Sequence, residues 1–242
     1  MSITLRSAQT ISNGVTLRGN NTQYIAPPPT LPLLFELDAS IYASGTTLLD
    51  ISGNDHHATI AGSPAWDSEA GGCFIFDVDL NKYITIPGSE GGWGLAGTAP
   101  NATFSVWAKV TSNSILQHIA GWRGGLDFWF LMYGSATEAR LDTGAARDLI
   151  VDYTPYFNNW ALTTFVADST QTRLYINGIL VANRGDITGN FSSAGSEFRL
   201  GCDTGNGFAM SGRIGGAAAY SRALTNGEVF SEYNRTKTRY GL

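Results

Sequence analysis

The stretch Leu49–Gly62, LDISGNDHHATIAG, holds the chain's densest set of reactive side chains. Asp55, His56 and His57 are consecutive, Asp50 lies close by, and the only other histidine is His118. A zinc centre needs three or four ligands converging on one point. Neighbouring residues of a strand face opposite ways, so the adjacent histidines cannot both turn to one ion. The spacing therefore reads as a polar turn entering a strand at Ala58-Thr59-Ile60. Glycoside hydrolysis needs two carboxylates set on one face along a strand, and no strand-like run carries such a pair; two segments come nearest. They are Glu36-Leu37-Asp38 and Asp77-Val78-Asp79. Both abut the ends of apolar runs, where acidic residues commonly cap turns, and no catalytic residue is assigned to them.

Other catalytic patterns are missing from the sequence. No G-x-S-x-G elbow occurs and neither Cys73 nor Cys202 has a base beside it. The glycine-rich run Gly91-Gly92-Trp93-Gly94-Leu95-Ala96-Gly97 lacks the lysine and helix of a phosphate-binding loop and reads as a surface loop. Each cysteine adjoins an apolar strand-like run (GGCFIF, FRLGC). The expectation is two small buried hydrophobes, with a disulfide as the alternative.

Positioning these residues falls to many short strands. Charged residues make up 14% of the chain against 29 glycines and 12% aromatics, with three lysines and seven glutamates, a poor composition for helices. From Leu31 onward apolar runs such as LPLLFELDA, GGCFIFD, KYITIPG, TFSVWAKV, LDFWFLMY, WALTTFVA and FRLG are each bounded by Gly, Asn, Asp or Pro. Phe104, Val106, Ala108 and Val110 alternate with Thr103, Ser105, Trp107 and Lys109, so one set faces a core and the other faces away. Asn177-Gly178 marks a tight hairpin. Thr225 and Glu228 stand at capping-box spacing and announce one short helix. The continuation EYNRTKTRYGL is expected as a basic, polar tail on the surface.

The first 30 residues are of another kind. Asn13-Gly14 lies between short alternating runs and signals a two-residue hairpin, and Pro27-Pro28-Pro29 makes a stiff spacer. Arg6 and Arg18 are the only charges before Glu36, which leaves the rest of the chain at about −7 out of a net −5. An acidic body argues against nucleic acid as a partner. No apolar run is long enough for a membrane helix, and no secretion signal is recognisable at the N-terminus.

Four stretches taken in order resemble one family: LDISGNDHHATIAG at 49–62, FSVWAKV at 104–110, LYINGILVA at 174–182 and GRIGGAAAYSRALTNGEV at 212–229. They are similar to the laminin G-like, concanavalin A-like jelly-roll domains, in particular the branch found in bacteriophage structural proteins. The resemblance implies an all-β, two-sheet antiparallel jelly-roll sandwich over residues 31–242, with one short C-terminal helix and an extended N-terminal arm over residues 1–30. No catalysis is expected: the glucanases of this architecture resemble one another in carrying paired Glu and Asp along one strand, and no strand here carries that pair. No cofactor is expected. The alternative is one calcium ion, as in many laminin G-like domains, with Asp77, Asp79 and Asp203 as ligands.

The function that follows is a non-enzymatic phage virion structural protein, a capsid decoration protein assembled in the host cytoplasm. The arm would dock on a virion shell protein through Arg6, Ile11, Val15, Leu17 and Arg18, its strands adding to a partner's sheet edge. A homo-oligomer, such as a trimer at a threefold position, suits a symmetric shell. The alternative is a carbohydrate-binding tail or receptor-binding protein, a lectin, with Trp93, Trp107, Trp122, Trp129 and Tyr156 as candidate sugar platforms.

Overall fold

The computed structural model describes residues 9–11, 15–17, 31–87, 101–111, 116–121, 130–133, 138–142, 149–185, 197–203, 205 and 207–242. The chain divides into two compact units, Met1–Leu31 and Pro32–Leu242. In the first, strands β1 (Gln9–Ile11) and β2 (Val15–Leu17) pair antiparallel, with Ile11 opposite Val15. The Asn13-Gly14 turn between them lies outside the described residues.

The second unit contains, in chain order, β3 (Leu33–Asp38), β4 (Thr47–Leu48), β5 (Ala58–Ala61), β6 (Ala65–Asp67), β7 (Cys73–Asp77), β8 (Tyr83–Ile86) and β9 (Ala102–Val110). Then follow β10 (Gln117–Gly121), β11 (Phe130–Tyr133), β12 (Glu138–Asp142), β13 (Leu149–Asp152), β14 (Ala161–Ala167), β15 (Thr172–Ile176), β16 (Ile179–Arg184), β17 (Phe198–Leu200), β18 (Ser211–Tyr220) and the helix α1 (Asn226–Thr236). They form a jelly-roll sandwich of two antiparallel sheets. One runs β13-β12-β11-β10-β17-β8-β5-β4 and the other β16-β15-β14-β9-β18-β7-β6. Strand β3 joins the second sheet beside β18, pairing with Gly216–Tyr220 while β7 pairs with Ser211–Ile214.

Alternation along the strands builds the core between the sheets. Phe104, Val106, Ala108 and Val110 of β9 point inward with Phe35 and Leu37 of β3, Phe74 and Phe76 of β7, and Ile84 and Ile86 of β8. Phe198 from β17 meets Phe35 and Phe104 with ring centroids 5.6 and 5.5 Å away, so the sheets are joined through aromatic contacts. At the Asn177-Gly178 turn both residues have positive φ, +52° and +76°, the conformation a two-residue hairpin demands.

Helix α1 begins as its sequence indicates. The Thr225 side chain accepts from the Glu228 backbone, and the Glu228 carboxylate accepts from Thr225 N at 2.8 Å. Arg222 adds a two-pronged ion pair to Glu228 at 2.9 and 2.6 Å. Together these hold the Glu228 carboxyl down at about 2. The segment after the helix corrects the expectation of a surface tail. Lys237–Tyr240 forms a 3-10 turn, and Tyr240 is 7% exposed, packed with Trp107, Trp160, Leu162 and Cys73 on the outer face of the second sheet. Gly215 permits the approach, since a Cβ there would stand 2.6 Å from the Tyr240 hydroxyl.

Candidate functional site

The Asp-His-His turn is organised by Asp50. Its carboxylate accepts from Glu36 N, Ser52 N, Ser52 Oγ and His56 N at 2.8 to 3.0 Å. Burial opposes its ionisation, but these hydrogen bonds outweigh burial and hold the group below the usual carboxylate range. The histidines are peripheral: His57 Nδ1 accepts from Asp50 N at 3.1 Å and the side chain is exposed. Asp50 thus ties the turn to β3 and fixes the backbone at Glu36.

The aspartates expected around calcium are engaged separately. Asp77 pairs with Lys82 at 2.7 Å, Asp79 accepts from Asn81 N, and Asp203 accepts from Gly207 N at 2.5 Å. Among the described residues no group of three or more His, Cys, Asp or Glu side chains stands ready for a metal. Cys73 and Cys202 are both free and buried, and burial first, with neighbouring carboxylates, pushes each thiol up to about 11.

Of the candidate sugar platforms, Trp93, Trp122 and Trp129 lie outside the described residues, as do Arg6 and Arg18. Trp107 corrects the expectation. Its ring is 4% exposed, stacks on Tyr240 at a centroid distance of 4.0 Å, and its Nε1 donates to Thr236 Oγ1 at 2.9 Å. The outward face of β9 that carries it is roofed by the C-terminal segment and cannot present an open ring. Tyr156 is half-buried, 5.4 Å from Tyr153, and leans on the main core. Ile11, Val15 and Leu17 lie in the paired strands β1 and β2. Among the described tryptophans, Trp66 has the most open ring, at 42% exposed. Its Nε1 donates to Ala39 O at 2.9 Å, which fixes the indole on the edge strand β6. Its position between the Ser63-Pro64 turn and Asp67-Ser68 was the available sign of an edge.

Beneath α1 and the Lys237–Tyr240 turn lies a cavity of about 260 Å³, bounded below by the outer faces of β3, β9 and β18. Its charged lining comes from both ends of the unit. Glu36 and Asp38 share a face of β3 because Leu37 between them points into the core, and Glu232, Arg235 and Arg239 descend from the C-terminal segment. Arg235 bridges Glu36 Oε1 and Glu232 Oε2, each at 2.7 Å, and Tyr220 OH donates to the same Glu232 oxygen at 2.9 Å. Arg239 donates to Asp38 Oδ1 and to the carbonyls of Ala70, Gly72 and Gly215. The Glu36-x-Asp38 pair is therefore on one face, each carboxylate matched to an arginine. Nothing at the C-terminus predicted this role except its residue types: two tyrosines and two arginines at 233, 240, 235 and 239 are ill-suited to an idle tail.

A lectin-type β-sandwich, with its C-terminal helix folded over one sheet, is the class these features define. The chain belongs to the concanavalin A-like lectin/glucanases superfamily, in its laminin G group, whose pattern matches residues 79–230. No curated protein matches it by sequence. Similar solved structures include the receptor binding domain of botulinum neurotoxin C/D mosaic serotype, at 17% identity and TM-score 0.67, covering 84% of this chain and 51% of that one. The binding domain of Paraclostridial Mosquitocidal Protein 1 has 17% identity and TM-score 0.63, over 84% and 52%. This chain spans about half the length of those toxin domains. Domain 4 of AbnA, a GH43 extracellular arabinanase from Geobacillus stearothermophilus, solved in complex with arabinotriose, has 18% identity and TM-score 0.63, over 83% of this chain and 98% of that domain. At these identities the likeness is one of fold.

Proposed function

We propose that this protein is a non-enzymatic, carbohydrate-binding module displayed on a bacteriophage particle, a capsid decoration protein whose N-terminal unit attaches to the shell. The observation that carries the binding reading is the lectin-type sandwich itself, a fold that in domain 4 of the arabinanase is seen with an arabino-oligosaccharide. The fixed, exposed indole of Trp66 suits stacking against a sugar ring. The non-enzymatic part rests on the carboxylates of Glu36, Asp38 and Glu232, each held by an arginine and so poorly placed to exchange protons with a substrate.

The attachment reading rests on the separate unit Met1–Leu31, with its short hairpin and two arginines ahead of an acidic body. A three-residue hairpin strand pair buries little by itself and gains by adding to a partner's sheet edge. Assembly in the host cytoplasm and a trimer at a threefold position of the shell complete the proposal. The second reading, a tail or receptor-binding lectin, draws on the same sandwich and differs in where the arm attaches.

The decisive experiment is the copy number of the chain in purified particles, by quantitative mass spectrometry against the major shell protein. A number commensurate with the shell lattice supports decoration, a handful moves the protein to the tail, and absence from particles removes the virion reading. Deleting residues 1–30 is expected to abolish attachment and to leave polysaccharide binding intact. Release of reducing sugar from a bound polysaccharide would overturn the non-enzymatic assignment.

A further inference from the structure

We propose that the cavity beneath the C-terminal helix is a pocket for a single neutral sugar residue, so that this protein reads the ends of glycan chains. The inference rests on the carbohydrate-binding reading above and adds the site and the class of ligand. Three observations carry it: size, hydrogen-bonding capacity and charge.

The cavity, at about 260 Å³, is smaller than the ~300–1,000 Å³ of pockets that take drug-sized ligands, which suits one ring and not a chain. Its three carboxylates are each half committed. Glu36 uses Oε1 on Arg235, Asp38 uses Oδ1 on Arg239 and Ser40 N, and Glu232 uses Oε2 on Arg235 and Tyr220. Among the described residues, Glu36 Oε2, Asp38 Oδ2 and Glu232 Oε1 accept no hydrogen bond. A carboxylate whose orientation is locked through one oxygen and whose other oxygen is open is a preorganised acceptor for a hydroxyl. Glu232 is itself only 9% exposed, and an acceptor that deep is valuable only to a ligand that enters. Trp107 and Tyr240, stacked on each other and buried, wall the cavity without offering an open ring face, so the Trp107 indole N–H reports on what enters beside it.

Charge selects within the sugars. Three carboxylates face two guanidiniums, and both guanidiniums are already paired, so an acidic sugar would bring a negative charge with no cation free to meet it. A neutral pyranose or furanose donates hydroxyls to the open oxygens without that penalty. Ile51, 48% exposed, and Arg235 also line the cavity. Both are partly open to solvent, which places them where the rest of a glycan chain would leave the pocket.

The test is a titration of the full chain, 15N-labelled at its tryptophans, with methyl glycosides of glucose, galactose, mannose and arabinose, following the Trp107 indole N–H. Saturable displacement of that signal by at least one glycoside is expected. Glu36→Gln, which keeps shape but alters an acceptor, should weaken the response about tenfold. Ala218→Leu, which fills the cavity without deleting a hydrogen bond, should abolish it while thermal melting shows the fold intact. Should that variant not fold, the indole titration of the unaltered chain decides alone. Polysaccharide binding with no glycoside response at Trp107, or an unchanged response in Ala218→Leu, overturns the pocket and leaves the lectin reading standing. Displacement by calcium chloride in place of glycosides overturns the pocket as a sugar site. Failure of both polysaccharide and glycosides to bind overturns pocket and lectin reading together.

Discussion

The two faces of the sheet centred on β9 and β18 are both buried, by different means. The inner face is apolar and closes on the opposite sheet through Phe35, Phe104, Phe198 and their neighbours. The outer face is covered by the chain's own C-terminus. There a smaller apolar cluster around Trp107 and Tyr240 sits beside directed bonds, Trp107 to Thr236 and Trp160 and Lys109 to Glu69 at 3.0 and 2.8 Å, with Arg213 in an ion pair to the same glutamate at 3.0 Å. Non-directional burial holds the first face and tolerates any apolar side chain of suitable size. Directed bonds hold the second, beside the cavity that Glu36, Asp38 and Glu232 line. The proposed recognition pocket draws on those directed polar groups, which an apolar interface of the inner kind does not supply.

The largest expected effect belongs to the inner face. Phe35→Ala removes a fully buried ring that bridges the sheets and should cost about 3–5 kcal/mol in urea unfolding, enough to leave a marginal fold. Tyr240→Ala asks the same of the outer face. It is expected to cost about 2–3 kcal/mol, less because the site borders a cavity and can relax, and to raise the exposure of Trp107 seen in fluorescence quenching. A cost as great as that of Phe35→Ala would show the C-terminal roof to be as integral as the core. No measurable cost would show it to be an appendage.

Asp50→Ala comes next. It removes the shared acceptor of four donors and should cost about 1–3 kcal/mol, whereas the double change His56→Ala, His57→Ala should cost under about 0.5 kcal/mol. The reverse ranking, in a pair of thermal melts, would return the histidines to the centre of that turn. Because Glu36 N donates to Asp50, loss of this acceptor should also loosen the outer-face end of β3.

The inner face could be read from the sequence because a strand's period of two is visible wherever one side is apolar. Phe104, Val106, Ala108 and Val110 declare it without help from the rest of the chain. The Asn177-Gly178 turn and the Thr225–Glu228 cap were equally visible, since each is a local solution to a local backbone demand. The outer face could not be read this way. Thr103, Ser105, Trp107 and Lys109 look like a solvated side, and only a partner 129 residues away, Thr236 for Trp107, shows that they are covered. The same distance hid the cavity: Glu36 and Glu232 become neighbours through Arg235, 199 residues from the first and three from the second. The alternation of Glu36 and Asp38 is visible in the sequence, but the arginines that hold them in check stand in a segment whose composition reads as a basic, polar surface tail.

The smallest effect, and the one that separates the roof from the core most cleanly, is its dependence on pH. Glu228 caps the helix that forms the roof, and the hydrogen bonds from Arg222, with those of the Thr225 cap, draw its carboxyl down from 4.5 to about 2. A carboxyl depressed on folding contributes stability that is complete above its unfolded value, near 4.5, and is lost as the pH falls toward 2. The Glu228 side chain is 19% exposed and its ion pair lies at the surface, so this contribution is partly screened and small, and the cap as a whole is worth about 1 kcal/mol. Glu228→Gln should therefore lower stability modestly at pH 7 and reduce the further loss between pH 4.5 and 2, while Phe35→Ala should shift the whole profile downward without changing its shape. Amide hydrogen exchange of α1 across that pH interval distinguishes the two. If Val229, buried against the sheet, loses protection before Phe104 does, the roof opens independently of the sandwich and the pocket beneath it can admit a ligand without unfolding the core. If both lose protection together, the two faces are one cooperative unit and entry must be through the mouth at Ile51 and Arg235.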